Sequence, residues 1–195
     1  MDIIIKDLYK SYGDKVVLDG LSATITKGKI TCLMGQSGAG KTTLFNILMG
    51  FEKADKGVVE NLPHLKSAVF QENRLCESFS AFTNIRIAND NIDDKTIAEH
   101  LAAVGLADAA SQKVDTLSGG MKRRVALVRA VIAAKDILFL DEPFKGLDEE
   151  TKQDVMQYLV THTKGTTVVM VTHDVEETRT LGADVLVLKD GKITN

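Results

Sequence analysis

The sequence predicts an α/β fold in which a mostly parallel sheet carries helices on both faces. Two observations carry this expectation. The short runs Ile137–Leu140 and Thr167–Val171 lack the polar alternation of a half-solvated strand and read as buried strands, and Ile30–Met34 is a further apolar stretch. Between them lie segments with helical apolar spacing, at Lys41–Met49, Lys95–Leu106, Met121–Ala134 and Thr151–His162. Strands alternating with helices are the pattern of a parallel sheet with crossovers.

The remaining elements follow from local signals. Ile3–Ile5, Val16–Leu18 and Ala23–Ile25 are predicted as short strands, separated by turn chemistry at Tyr12-Gly13-Asp14 and Lys27-Gly28-Lys29. Gly50 is expected to stop the first helix. Gly57–Val59 and Leu65–Phe70 read as strands around a turn near Pro63. Residues 72–94 are polar and read as irregular. Val185–Leu188 and Ile193 are predicted to form a closing hairpin around Asp190-Gly191.

Composition narrows the class. The chain has 195 residues, 44% of them hydrophobic, which suits one sizeable domain. Its formal net charge of −3 gives no basic footprint for nucleic acid. Lys122, Arg123, Arg124 and Arg129 do cluster on one predicted helix, where a solvated face or pairing within the chain is the expected use. Cys32 and Cys76 have neither disulfide nor metal spacing, and His64, His100 and His162 are expected to be structural. Met1 leads into Asp2 and Lys6 without a signal segment, and no run reaches eighteen apolar residues, so a cytosolic chain is expected.

The most specific chemistry lies directly after Ile30–Met34. Gly35-Gln36-Ser37-Gly38-Ala39-Gly40-Lys41-Thr42-Thr43 satisfies the spacing G-x-x-x-x-G-K-S/T between a strand and a helix. Glycines let backbone N–H groups converge on phosphate oxygens, and the helix start adds free N–H groups and a positive dipole end. Lys41 is placed to reach the β- and γ-phosphates, and the Thr42 hydroxyl to bind Mg²⁺. This loop predicts nucleoside triphosphate binding.

A second site is expected where Leu140-Asp141-Glu142-Pro143 ends a buried strand, since ligands of parallel sheets sit beyond the carboxyl ends of strands. Asp141 is suited to hold Mg²⁺ and Glu142 to polarise an attacking water. Either acid could instead cap the following turn.

A third element, Leu117-Ser118-Gly119-Gly120-Met121, offers a hydroxyl and exposed N–H groups at a helix start. Followed by Arg124-Val125-Ala126 and Arg129-Ala130, it resembles the signature motif of ATP-binding-cassette (ABC) ATPases, and the resemblance covers essentially the whole chain. Tyr12 matches the aromatic residue that stacks on adenine in that family, and Gln71 matches the Q-loop glutamine. Gly146-Leu147-Asp148 matches the D-loop, and His173 the switch histidine. Gln71–Leu75, Asp141–Phe144 and Thr172–Glu177 are most similar to the nitrate, sulfonate and taurine importer branch. Met121 also fits that branch. Cys76-Glu77 departs from its usual Pro-Trp, and Lys145-Gly146 replaces its usual small pair.

The resemblance implies a P-loop NTPase core with an N-terminal antiparallel β subdomain and an α-helical subdomain. Residues 1–71 and 135–195 would form the core with the β subdomain, and 72–134 the helical one, all within a single ABC ATPase domain. It implies ATP and Mg²⁺ as ligands, Gln71 contributing to the metal site, and Glu142, His173 and Gln71 as catalytic residues. It further implies a head-to-tail pair of copies, in which Ser118, Gly119 and Gly120 of one cap the ATP held by the other. Transmembrane permease subunits, contacted through 72–94, and a solute-binding protein are the implied partners, with no nucleic acid. The implied location is the cytoplasmic face of the cell membrane. A soluble ABC ATPase that remodels a partner complex is a second reading of the same motifs. A small-molecule kinase would leave Leu117–Gly120 without a role.

Overall fold

A computed structural model describes residues 1–194. Two long strands open the chain, β1 (Ile3–Tyr12) and β2 (Lys15–Ile25), joined by a tight turn at Gly13-Asp14. They replace the several short strands expected there. The ladder runs past its irregular positions through register shifts between Ile5 and Leu8, Leu8 and Tyr9, and Lys10 and Ser11. Such bulges keep two strands paired while breaking the period-2 apolar pattern, which hides their length from the sequence. With β4 (Lys56–Glu60) they form an antiparallel sheet in the order β2-β1-β4.

The second sheet has six strands in the order β5-β6-β7-β3-β8-β9. The strands β3 (Ile30–Met34), β5 (Lys66–Val69), β6 (Ile137–Asp141), β7 (Thr167–Val171) and β8 (Asp184–Lys189) are mutually parallel; β9 (Lys192–Thr194) closes the edge as an antiparallel hairpin. This sheet agrees with the expected mostly parallel architecture.

The pleat sorts consecutive residues of the central strands into two cores. Leu33, Ile137, Phe139, Val169 and Val171 face the antiparallel sheet and helix α1 (Lys41–Met49). Cys32, Leu138, Leu140, Val168 and Met170 face the remaining helices. Successive strand side chains point to opposite faces, so a strand covered on both sides must be apolar at every position. Phe45 of α1 meets Phe139 edge to face, with ring centroids 5.3 Å apart. The thiol of Cys32, buried in this sheet, is pushed up to about 12 by desolvation.

On the second face lie α2 (Ala81–Arg86), α3 (Asp94–Ala103), α4 (Gly119–Ala133), α5 (Glu149–His162) and α6 (Val175–Thr180). The segment 72–94, expected to be irregular, contains α2. That helix is six residues long, too short to show a period, and it is begun by Ser80 accepting from the Thr83 N–H at 3.0 Å. The helix α6 was also illegible, for the same reason. No helix among the described residues is long and apolar enough to cross a membrane.

Candidate active site

Parallel strands in register end together. The residues that follow β3, β5, β6 and β7 are Gly35, Phe70-Gln71, Glu142 and Thr172-His173, all at one edge of the sheet. The carboxyl-end register of Leu33 and Asp141 is set by their common partner, Val171 of β7. A cavity of about 600 Å³ opens there, lined by Tyr12, Gly35, Gln36, Ser37, Gly38, Gly40, Lys41, Thr42, Thr43, Gln71, Asp141, Glu142 and His173, together with Lys15 and Val17. Residues from five separated stretches of sequence therefore share one wall. Ala39 is not among the lining residues; it is partly buried against the core between the two sheets. Lys15 and Val17 of β2 carry no motif, and only the fold brings them there.

The glycine loop is shaped for a ligand that supplies negative charge. Gly35 has φ 144°, and a Cβ there would lie 2.3 Å from the Leu188 carbonyl oxygen. Gly40, at φ 103°, is the N-cap of α1. The helices α2, α3, α4, α5 and α6 each have a side-chain acceptor at the N-cap, from Ser80, Asp93, Ser118, Asp148 and Asp174; α1 has none. Its first N–H groups and positive dipole end are thus left facing the cavity, an arrangement that favours phosphate. The Lys41 ammonium folds over the loop, donating to the carbonyls of Gly35 at 2.7 Å and Gln36 at 2.9 Å.

Opposite the loop, the two acids differ. Asp141 is half-buried, and burial followed by the neighbouring Glu142 charge raises its pKa. Its carboxylate accepts no hydrogen bond among the described residues. A desolvated anion without a donor fits a cation, and the Thr42 hydroxyl on the same cavity wall completes a hard oxygen pair suited to Mg²⁺. Glu142 sits at φ 47°, in the left-handed region, and its N–H donates to the Val171 carbonyl at 3.0 Å. One carboxylate oxygen accepts from Lys145 at 2.8 Å; the other lies 3.6 Å from His173 Nδ1. The Lys145 hydrogen bond holds the Glu142 pKa below the usual carboxylate range.

His173 is exposed, but the segment carrying it is anchored. Thr172 is buried and donates to Glu177 at 2.5 Å; Lys152 bridges Asp174 at 2.5 Å and Glu177 at 3.3 Å. Tyr12, on the cavity rim, is half exposed and donates to Glu52 at 2.5 Å, which raises its pKa.

The Ser118–Gly120 turn stands apart. Ser118 and Gly119 are exposed, and the Ser118 hydroxyl accepts from the Met121 N–H at 3.2 Å, capping α4. Gly119 and Gly120 line a separate cavity of about 230 Å³, with Gln71, Glu142 and Lys145 but without Lys41. Asp148 likewise caps α5, accepting from the Thr151 N–H at 2.9 Å.

The basic cluster on α4 pairs within the chain. Arg124 donates to the Val104 carbonyl at 2.7 Å, and Arg129 to those of Arg74 at 2.9 Å and Asn73 at 3.2 Å. Arg123 is buried, a position that its sequence neighbourhood does not signal.

The chain is similar to known proteins over nearly its whole length. The ABC transporter family model matches residues 18–145. The aliphatic sulfonates import ATP-binding protein SsuB 1 of Nocardia farcinica is 41% identical over 195 residues, covering 97% of this chain and 79% of the relative. The bicarbonate transport ATP-binding protein CmpD of Synechococcus elongatus is 34% identical over 214 residues, covering 99% and 77%. The structure of a bacterial Atm1-family ABC exporter with ATP bound superposes with a TM-score of 0.87 at 23% identity. It covers all of this chain, which spans 38% of the exporter chain, and it supports the fold alone.

Proposed function

Because this chain belongs to the ABC transporter family and is an ATP-binding ATPase of that family, we propose that it powers an importer as one of two paired copies. Each copy holds MgATP in the 600 Å³ cavity, and the exposed Ser118–Gly120 turn of the other closes over it. The observation that carries this reading is the division of the motifs. The Lys41 loop, Gln71, Asp141, Glu142 and His173 line one cavity, while Ser118 caps a helix at the surface outside it. A two-fold pair repeats the missing contact twice.

The roles follow from position. The loop N–H groups and Lys41 bind the β- and γ-phosphates, and Thr42 with Asp141 would hold Mg²⁺. Held there, the metal would supply charge neutralisation to the phosphoryl transfer. Glu142 accepts a proton from the attacking water, using the oxygen that faces His173; His173 and Gln71 orient the groups around it. Tyr12 offers a ring to adenine at the rim.

In the same reading, residues 1–71 and 135–195 form the catalytic core with its β subdomain, and 72–134 the helical subdomain. The segment 72–94 meets transmembrane permease subunits at the cytoplasmic face of the membrane. Support comes from Phe79 and Ile87, apolar side chains left exposed on that segment. The sulfonate relative, named for import, favours uptake, with a solute-binding protein delivering the cargo.

The variant Glu142→Gln tests the reading. It should bind ATP normally, lose at least about a hundredfold in turnover, and accumulate as an ATP-bound pair. Turnover at the wild-type rate would remove Glu142 as the base.

A further inference from the structure

Arg123 is an unusual residue to find inside this protein. Its side chain is 5% exposed, and among the described residues it forms no ion pair. Burying a cation is costly unless its donors are met, and here neutral acceptors meet them. Nε donates to the Pro143 carbonyl at 3.1 Å. One terminal nitrogen donates to the carbonyls of Asp141 and, at 2.7 Å, Glu142. The other donates to the carbonyls of Phe70 and Gln71, the latter at 3.4 Å, and to Asn73 Oδ1 at 3.2 Å.

These acceptors belong to two chain exits, one after β5 and one after β6. The guanidinium is a planar fork able to span both; an ammonium is a point donor and cannot. In the exit after β6, Glu142 holds a left-handed backbone, which persists only where its surroundings impose it. Its N–H is tied to Val171 of β7 and its carbonyl to Arg123, so its peptide is fixed on both sides. Arg123 itself lies five residues beyond Ser118 on α4, the helix that turn begins.

We propose that Arg123 is a positioning residue for hydrolysis: it sets the Glu142 carboxylate and the Gln71 amide in register with each other and with the Ser118–Gly120 turn. The inference rests on Glu142 being the base. It concerns the chemical step only, since Arg123 does not line the cavity that holds the Lys41 loop.

The test is a steady-state ATPase series on the purified chain with MgATP. Arg123→Met keeps most of the volume and removes every donor; replacing a buried cation by an apolar side chain is often neutral for stability. Its kcat should fall about ten- to a hundredfold, the scale of a roughly 1 Å misplacement, with KM for ATP within about twofold. Arg123→Lys should recover part of the loss, because it can serve one exit. Wild-type kcat in a folded Arg123→Met protein would overturn the proposal. So would a parallel loss of kcat, ATP affinity and melting temperature in both variants, the signature of a scaffold residue. Glu142→Gln, measured alongside, separates the two claims. If it turns over normally, the base assignment falls and this inference with it; if it is inactive while Arg123→Met is not, only the inference about Arg123 falls.

Discussion

Alanine at Gly35 is the sharpest probe of the phosphate loop, because its cost can be worked from distances. The new Cβ would lie 2.3 Å from the Leu188 carbonyl oxygen. Ordinary carbon–oxygen contacts begin near about 3.3 Å, so the shortfall is roughly 1 Å. Neither side yields easily: Leu188 is buried in β8, and the ladder pairs Met34 with Val187 immediately before the contact. Parting the strand ends gives up one or two hydrogen bonds at about 1 kcal/mol each. The left-handed backbone adds about 1–2 kcal/mol. The sum is about 2–4 kcal/mol, or a fall in melting temperature of roughly 10 °C for a chain of this size. Gly38→Ala is the control. Its Cβ meets nothing within 4 Å, and only the backbone term at φ 82° applies, so about 3–6 °C is expected. Thermal melts of both variants, with and without MgATP, make the comparison. Saturating MgATP should raise the wild-type midpoint and leave Gly35→Ala unmoved, since its loop no longer presents the N–H groups. Equal midpoints for the two variants, with MgATP protection intact in Gly35→Ala, would refute the close packing of the loop on β8.

Two further outcomes concern metal and pH. Chelating divalent cations should abolish turnover, and Mg²⁺ should restore it, while Thr42→Ala should demand a higher Mg²⁺ concentration for half-maximal rate; an unchanged Mg²⁺ requirement would argue against that hydroxyl as a ligand. His100 and His162 hold pKa values below the ordinary imidazole range, His100 through burial and then the nearby His162, and His162 through burial. The rings lie 4.5 Å apart, and His100 Nδ1 meets the Tyr158 hydroxyl at 2.7 Å. The unfolded chain therefore takes these protons first. Stability should be fully present above about pH 6.5 and lost as the pH falls through the depressed folded values. Melting temperatures measured from pH 7.5 to 5.5 should decline, and His100→Gln should flatten the decline; an equally steep curve in that variant would place the titration elsewhere.

What the sequence disclosed and withheld follows physical lines. Strands covered on both faces were legible because Ile137–Leu140 and Thr167–Val171 must be apolar at every position. The glycine loop was legible because its conformations exclude side chains. β1 and β2 were fragmented, since bulges near Leu8 and Ser11 interrupt the alternation that marks a strand. The helices α2 and α6 were missed because six residues show less than two turns of pattern. Among site residues, Lys15 and Val17 reach the cavity only through hairpin geometry. Lys145 was visible as a departure from its family, but its hydrogen bond to Glu142 was not. Arg123 sits among half-buried basic neighbours, so charge alone suggested a surface face; its acceptors lie 50 or so residues earlier and about 20 later, beyond the reach of local reading.

Pairing of complementary half-sites is open to direct measurement by mixing inactive variants. Lys41→Ala disables the loop of its own chain, and Ser118→Arg obstructs the turn that closes a neighbour's cavity. Each alone should hydrolyse almost no ATP. Mixed in equal amounts, random pairing leaves one undamaged site in half of the pairs, so about a quarter of the wild-type rate should return. A mixture no more active than its separate components would contradict closure of the site by a second copy.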